Sequence, residues 1–203
     1  MPDCFTGGFV QTNGYLIETP EGGHVLIDAP MGISQWLEAR GIRPEALLLT
    51  HQHYDHVENA AAVAALGVKV YAWAPYAAEL TIAALVRNWG LPVDVPPYAV
   101  DEVLEGREEL EIGGLKIGLR HVPGHSPDSV TFHLAERGEL YAGDTLFAMG
   151  IGRPDLPGGD EDLLIEGIRG KLFSLADETR VFPGHGPDTT IGAERAGNPY
   201  VGD

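Results

Sequence analysis

The chain has 203 residues, enough for one large domain or two small ones, and its 44% apolar content is ordinary for a protein with a packed core. A formal net charge of −17 and a pI near 4.7 exclude the basic surface that a nucleic acid or an anionic membrane requires. The single cysteine, Cys4, excludes an internal disulfide and fits a cytoplasmic protein.

No basic segment precedes an apolar core in the opening MPDCFTGGFVQ, so no signal peptide is expected. No apolar run reaches the roughly 18 residues needed to cross a bilayer. The first 30 residues read as strands, with YLIET (15–19) and HVLIDAP (24–30) flanking a PEGG turn. A helix follows over 32–42, with Ser34 as its N-cap and Gly41 as its stop. EALLLT (45–50) is a buried strand that runs into THQHYDH. The pattern then predicts a helix over 58–67 closed by Gly67, a strand over 68–73, and a helix over 75–90 opened by Pro75. The proline-rich 91–100 connects two halves, about 1–95 and 96–203, of a single domain. In the second half, strands are expected over 108–114, 115–122, 128–135 and 138–144. A helix over 160–175 is capped by Asp160, and a strand at 179–186 ends in a glycine-rich loop. Each half runs strands first and a helix after. Two sheets packed face to face with helices outside, an α+β sandwich of four layers in the order αββα, would bury both apolar faces.

Four places put metal-ligating side chains on a loop directly after an apolar strand: LLLTHQHYDH, LRHVPGHS, LYAGDTLF and RVFPGHGP. Strand ends are where a rigid scaffold can aim side chains at one point. Together they supply His51, His53, Asp55, His56, His125, Asp144 and His185. A lone histidine or a GD turn has a structural explanation, but four ligand-type residues within six positions do not, since clustered histidines repel when protonated. Imidazole and carboxylate without thiolate suit zinc, iron or manganese. Seven donors are too many for one tetrahedral ion and fit two ions that share a carboxylate, for which Asp144 is the best candidate. Such a pair can hold a hydroxide, with a pKa lowered to about 7, and polarise a carbonyl. Asp28, at the end of HVLID, reads either as a carboxylate that orients a ligating imidazole or as a turn residue. His24, His121 and His133 read as structural, and Tyr54, Ser126 and Cys4 receive no chemistry.

These motifs resemble the metallo-β-lactamase superfamily over nearly the whole chain. Within it, GDTLFAMGIGRPDLPGGD (143–160) and FPGHGPDTTIGAERAGNP (182–199) resemble glyoxalase II, the hydroxyacylglutathione hydrolases, in their short single-domain bacterial form. The resemblance implies that His51, His53 and His125 hold one ion, that Asp55, His56 and His185 hold the other, and that Asp144 bridges them. Asp55 and Asp144 would then serve the reaction directly, with Asp55 also orienting the nucleophile. It implies hydrolysis of a glutathione-derived thioester, S-lactoylglutathione or a relative, by a metal-bridging hydroxide, with two divalent ions (zinc, or iron or manganese) as cofactors.

The pattern departs from the family in two places. The helical C-terminal domain that supplies basic residues for glutathione is not expected here, and the apolar face it would cover favours a homodimer. The loop GIGRPD places Arg153 and Asp155 where the family binds glutathione; Arg153 either pairs with a substrate carboxylate or with Asp155. GxGRxD also resembles persulfide dioxygenase, which uses one Fe(II), here on His51, His125 and Asp144. A third alternative is a non-catalytic, metal-stabilised interaction protein.

Overall fold

A computed structural model describes residues 2–202. The chain divides into two compact units, one running to Gly106 and including Glu111–Leu115, the other formed by Arg107–Leu110 and the chain from Lys116 onward.

The first unit is built on strands β1 (Asp3–Gly7), β2 (Thr12–Glu18), β3 (His24–Ile27), β4 (Ala46–Leu48), β5 (Lys69–Ala72) and β6 (Glu102–Val103), hydrogen-bonded in that order. β1 to β3 are antiparallel neighbours; β3 to β6 are parallel. Helices α1 (Ile33–Arg40), α2 (Tyr54–Val57) and α3 (Ala60–Ala65) lie in the crossovers, and α4 (Ala83–Asn88) follows β5. Alternation along the strands sends Leu16, Leu26, Leu47 and Val70 to one face, where they pack with Ile33 and Leu37 of α1, Val57 of α2 and Val63 of α3. Phe5 and Trp36 close the edge of this cluster, their rings 5.7 Å apart.

The second sheet contains, after β7 (Glu109–Ile112) and β8 (Leu115–His121), β9 (Val130–Leu134), β10 (Glu139–Gly143), β13 (Arg180–Pro183) and β14 (Thr189–Thr190), in the order β14-β13-β10-β9-β8-β7. A separate hairpin joins β11 (Leu146–Phe147) to β12 (Gly150–Ile151). Leu140, Ala142 and Val181 pack against Leu164 of α5 (Glu161–Gly167), Ile168 and Leu172 of the π-helical turn that follows it, and Ile191 of α6 (Ile191–Gly197). β10 and β13 are parallel, with Gly143 opposite Pro183, so both strands end at the same level.

Several local expectations are corrected. Over 75–90 only Ala83–Asn88 is helical. The carbonyls of Ala74 and Pro75 accept from Gln52 Nε2, that of Thr81 accepts from the Tyr54 amide, and Ile82 sits at a left-handed φ of 49°. Tertiary demand thus takes the acceptors a helix would need. Of the helix expected over 58–67 only Ala60–Ala65 forms, and a separate short helix, Tyr54–Val57, precedes it from inside THQHYDH. Gly32, not Ser34, caps α1; the Ser34 hydroxyl instead donates to Asn59 Oδ1 at 2.9 Å. The helix over 160–175 is α5 plus the π-helical turn Ile168–Leu172. Its cap is as expected, Asp160 accepting from the Leu163 amide at 3.0 Å.

Candidate metal centre

In the first unit β4 ends at Leu48 and a loop carries His51, Gln52 and His53, the last at φ −59° and ψ 147°, into α2, which bears Asp55 and His56. All four donors are buried. The His51 ring lies 4.6 Å from that of His53 and 4.2 Å from that of His56, and ligating atoms of His51 and His53, of His51 and His56, and of Asp55 and His56 come within 4.8 Å of each other.

The loop keeps its shape through partners distant in sequence. Gln52, fully buried between the two histidines, accepts from Tyr98 Oη at 3.1 Å besides donating to the 74–75 backbone. Asp28 Oδ1 accepts from the Thr50 amide at 2.8 Å, and Oδ2 accepts from Thr50 Oγ1 and faces His56 Nδ1, each at 2.7 Å. The carboxylate therefore places the His56 proton on Nδ1 and leaves Nε2 as a ligating lone pair. Asp28 holds this position at a left-handed φ of 58°. Asp55 Oδ2 accepts from Thr12 Oγ1 at 2.7 Å and lies 3.4 Å from His56 Nε2.

In the second unit His125 lies in the turn after β8, Asp144 directly follows β10 and His185 follows β13. Asp144 Oδ2 is 3.5 Å from His125 Nε2 and 3.4 Å from His185 Nε2. His125 Nδ1 donates to the Arg153 carbonyl at 2.9 Å, so in the neutral ring the Nε2 lone pair faces a carboxylate oxygen. Two lone pairs brought that close call for a cation between them. Two ligands each about 2.0–2.2 Å from one tetrahedral ion stand about 3.4 Å apart, which is the spacing found. The donor set, imidazole and carboxylate without thiolate, thus fits a divalent metal in both units. The backbone is shaped to the purpose at Gly152, where a Cβ would lie 1.9 Å from the Asp144 carbonyl and 2.9 Å from His125 Cγ.

Arg153 and Asp155 form a bidentate pair with each other, both bonds 2.9 Å, on the exposed surface. The pairing raises the arginine pKa and lowers that of the carboxylate. What Arg153 presents to His125 is its carbonyl.

Sequence reasoning missed Thr12, Thr50, Gln52 and Glu58. Glu58 is 5% exposed, and neither of its carboxylate oxygens has a hydrogen-bond partner among the described residues. Burial, then the charge of Asp55, pushes its pKa up to about 7. Only the position of Glu58, two residues beyond His56, could have drawn attention to it.

Residues 7–185 match the family model of the metallo-β-lactamase superfamily. The hydroxyacylglutathione hydrolase GloC of Haemophilus influenzae is 34% identical, over 94% of this chain and 93% of its own. The crystal structure of BLEG-1, a B3 metallo-β-lactamase, superposes with a TM-score of 0.88 at 34% identity, covering 99% of both chains. That of TTHA1623 in a di-iron-bound form gives 0.84 at 38% identity, covering 98% of this chain and 99% of its own.

Proposed function

The chain belongs to the metallo-β-lactamase superfamily, and from that premise we propose that it is a two-metal hydrolase of glutathione-derived thioesters, S-lactoylglutathione or a related acyl-glutathione. The observation that carries the reading is Asp144 Oδ2 standing 3.5 Å and 3.4 Å from two imidazole nitrogens, as expected of a carboxylate shared by two ions. The likeness to GloC supports the substrate, and the di-iron form of TTHA1623 supports the number of ions.

In this reading His51, His53 and His125 hold one ion, Asp55, His56 and His185 the other, and Asp144 both. Bound there, zinc, iron or manganese supplies Lewis acidity for the thioester carbonyl and lowers the pKa of a water to about 7. Asp28 keeps His56 in its ligating tautomer. Thr12 fixes one oxygen of Asp55, so the carboxylate stays oriented while it holds metal and aligns the nucleophile. The departing thiolate is a good leaving group, so no strong general acid is required of this chain. The Arg153–Asp155 pair would open to receive a substrate carboxylate.

Protein reloaded with zinc, iron or manganese should contain about two ions per chain and release free thiol from S-lactoylglutathione. A single ion, no thiol release and oxygen uptake with glutathione persulfide would instead establish the mononuclear dioxygenase suggested by GxGRxD. Hydrolysis of a chromogenic β-lactam in preference to the thioester would move the substrate toward that of BLEG-1.

A further inference from the structure

The tail motif TTIGAERAGNP (189–199) plays no part in ligation, yet it folds into β14 and α6 and carries two buried polar side chains, Glu194 at 1% and Asn198 at 3% exposure. Glu194 Oε2 accepts from the Met149 amide and from Asn198 Nδ2, both at 2.8 Å, and Oε1 accepts from Thr189 Oγ1 at 2.6 Å. Asn198 Nδ2 also donates to the Gly150 carbonyl at 3.1 Å. A side chain of α6 and that of its C-cap residue thus grip consecutive residues of the β11–β12 hairpin.

The gripped residue is strained. Met149 has a φ of 61°, a left-handed conformation unfavourable to a side chain with a Cβ. Its side chain is 55% exposed and rests over Gly197, so burial does not explain the conformation. The hairpin has only two residue pairs, Leu146 with Ile151 and Phe147 with Gly150, too few to hold itself. It nevertheless reaches every donor of its unit. It begins one residue after Thr145, which follows Asp144; the Phe147 ring is 6.1 Å from that of His185; and beyond β12 the Arg153 carbonyl receives His125 Nδ1 at 2.9 Å.

We propose that Glu194 and Asn198 are positioning residues of the metal centre, a clamp from α6 that holds Met149 left-handed and thereby sets the hairpin against Asp144, His125 and His185. The proposal rests on the reading that these three donors hold metal.

Its test needs no substrate. Zinc affinity is measured by competition with a chromophoric chelator, and amide hydrogen exchange over residues 147–151 is followed in the metal-free protein. Glu194→Leu, verified as folded by circular dichroism, should weaken zinc binding about 10- to 100-fold and deprotect the Met149 amide. Glu194→Gln keeps an acceptor for that amide and can donate to Thr189, so it should stay close to the parent. Adding Met149→Gly to Glu194→Leu should recover most of the lost affinity, because glycine takes the left-handed conformation without a clamp. Parent-like affinity and exchange in Glu194→Leu, or no recovery by Met149→Gly, would overturn the proposal. If Glu194→Leu does not fold, Asn198→Ala is measured in the same way; weakened zinc binding supports the clamp and unchanged binding refutes it. Absent thioester turnover would count against the hydrolase and leave the clamp standing, since neither measurement involves hydrolysis.

Discussion

At the scale of single residues, the candidate centre depends as much on the groups behind the ligands as on the ligands. Asp28 satisfies the Thr50 amide, the Thr50 hydroxyl and His56 Nδ1 at once. Asp28→Asn keeps the shape but can turn its amide NH2 toward His56, which forces the proton onto Nε2 and blocks ligation. Metal affinity should fall about 10- to 100-fold while the fold survives, as checked by zinc titration alongside circular dichroism. Equal affinity in the variant would mean that the tautomer is not set here. The candidate ligands stood out in the sequence because each follows an apolar strand and carries a chemistry the core cannot use. Asp28 was legible only as one of two alternatives, because nothing local separates a turn aspartate from one that reaches a histidine 28 residues away. Gln52 and Glu194 were not legible as supports, since Tyr98 lies 46 residues from Gln52 and Met149 lies 45 from Glu194.

At the scale of elements, strands with strong apolar patterns were readable and short helices were not. EALLLT emerges as β4 and GELYAGD as β10, because continuous or alternating apolar character has one explanation at each site. The helix proposed from Pro75 fails for a reason outside that segment: Gln52 and Tyr54 claim its carbonyls. The segment after β14 packs as α6 because Ile191 joins the apolar cluster and Glu194 joins the hairpin. The hairpin's exit leaves no room for a side chain. Gly152→Ala would drive a methyl to 1.9 Å from the Asp144 carbonyl, and the resulting displacement should cost about 1–3 kcal/mol. A glycine with open space, such as Gly22 at φ 83°, should cost less when changed to Ala, because only its backbone conformation is strained. Urea denaturation of the two variants measures the difference, and equal losses would contradict the close approach at Gly152.

For the molecule as a whole, the family and the α+β fold follow from both the motifs and the observed sheets. Among the described residues no helix is long and apolar enough to cross a membrane. Each unit buries carboxylates beside imidazoles, Asp28 and Asp55 in one and Asp144 in the other, so cations should stabilise the native chain as a bound ligand does. With metal at about a thousandfold over its dissociation constant, the gain is about 4 kcal/mol. Chelation should therefore lower the melting temperature and zinc should restore it; a transition indifferent to both would argue against ligation. The level ends of β10 and β13 also govern where this polypeptide can change length. Removing one residue from β13 would retract its terminal loop by about 3.3 Å and turn its side chains to the opposite face, separating Asp144 from His185. Exposed turns such as that around Gly22 carry no such constraint, so insertions and deletions should be absorbed there and refused along the paired strands.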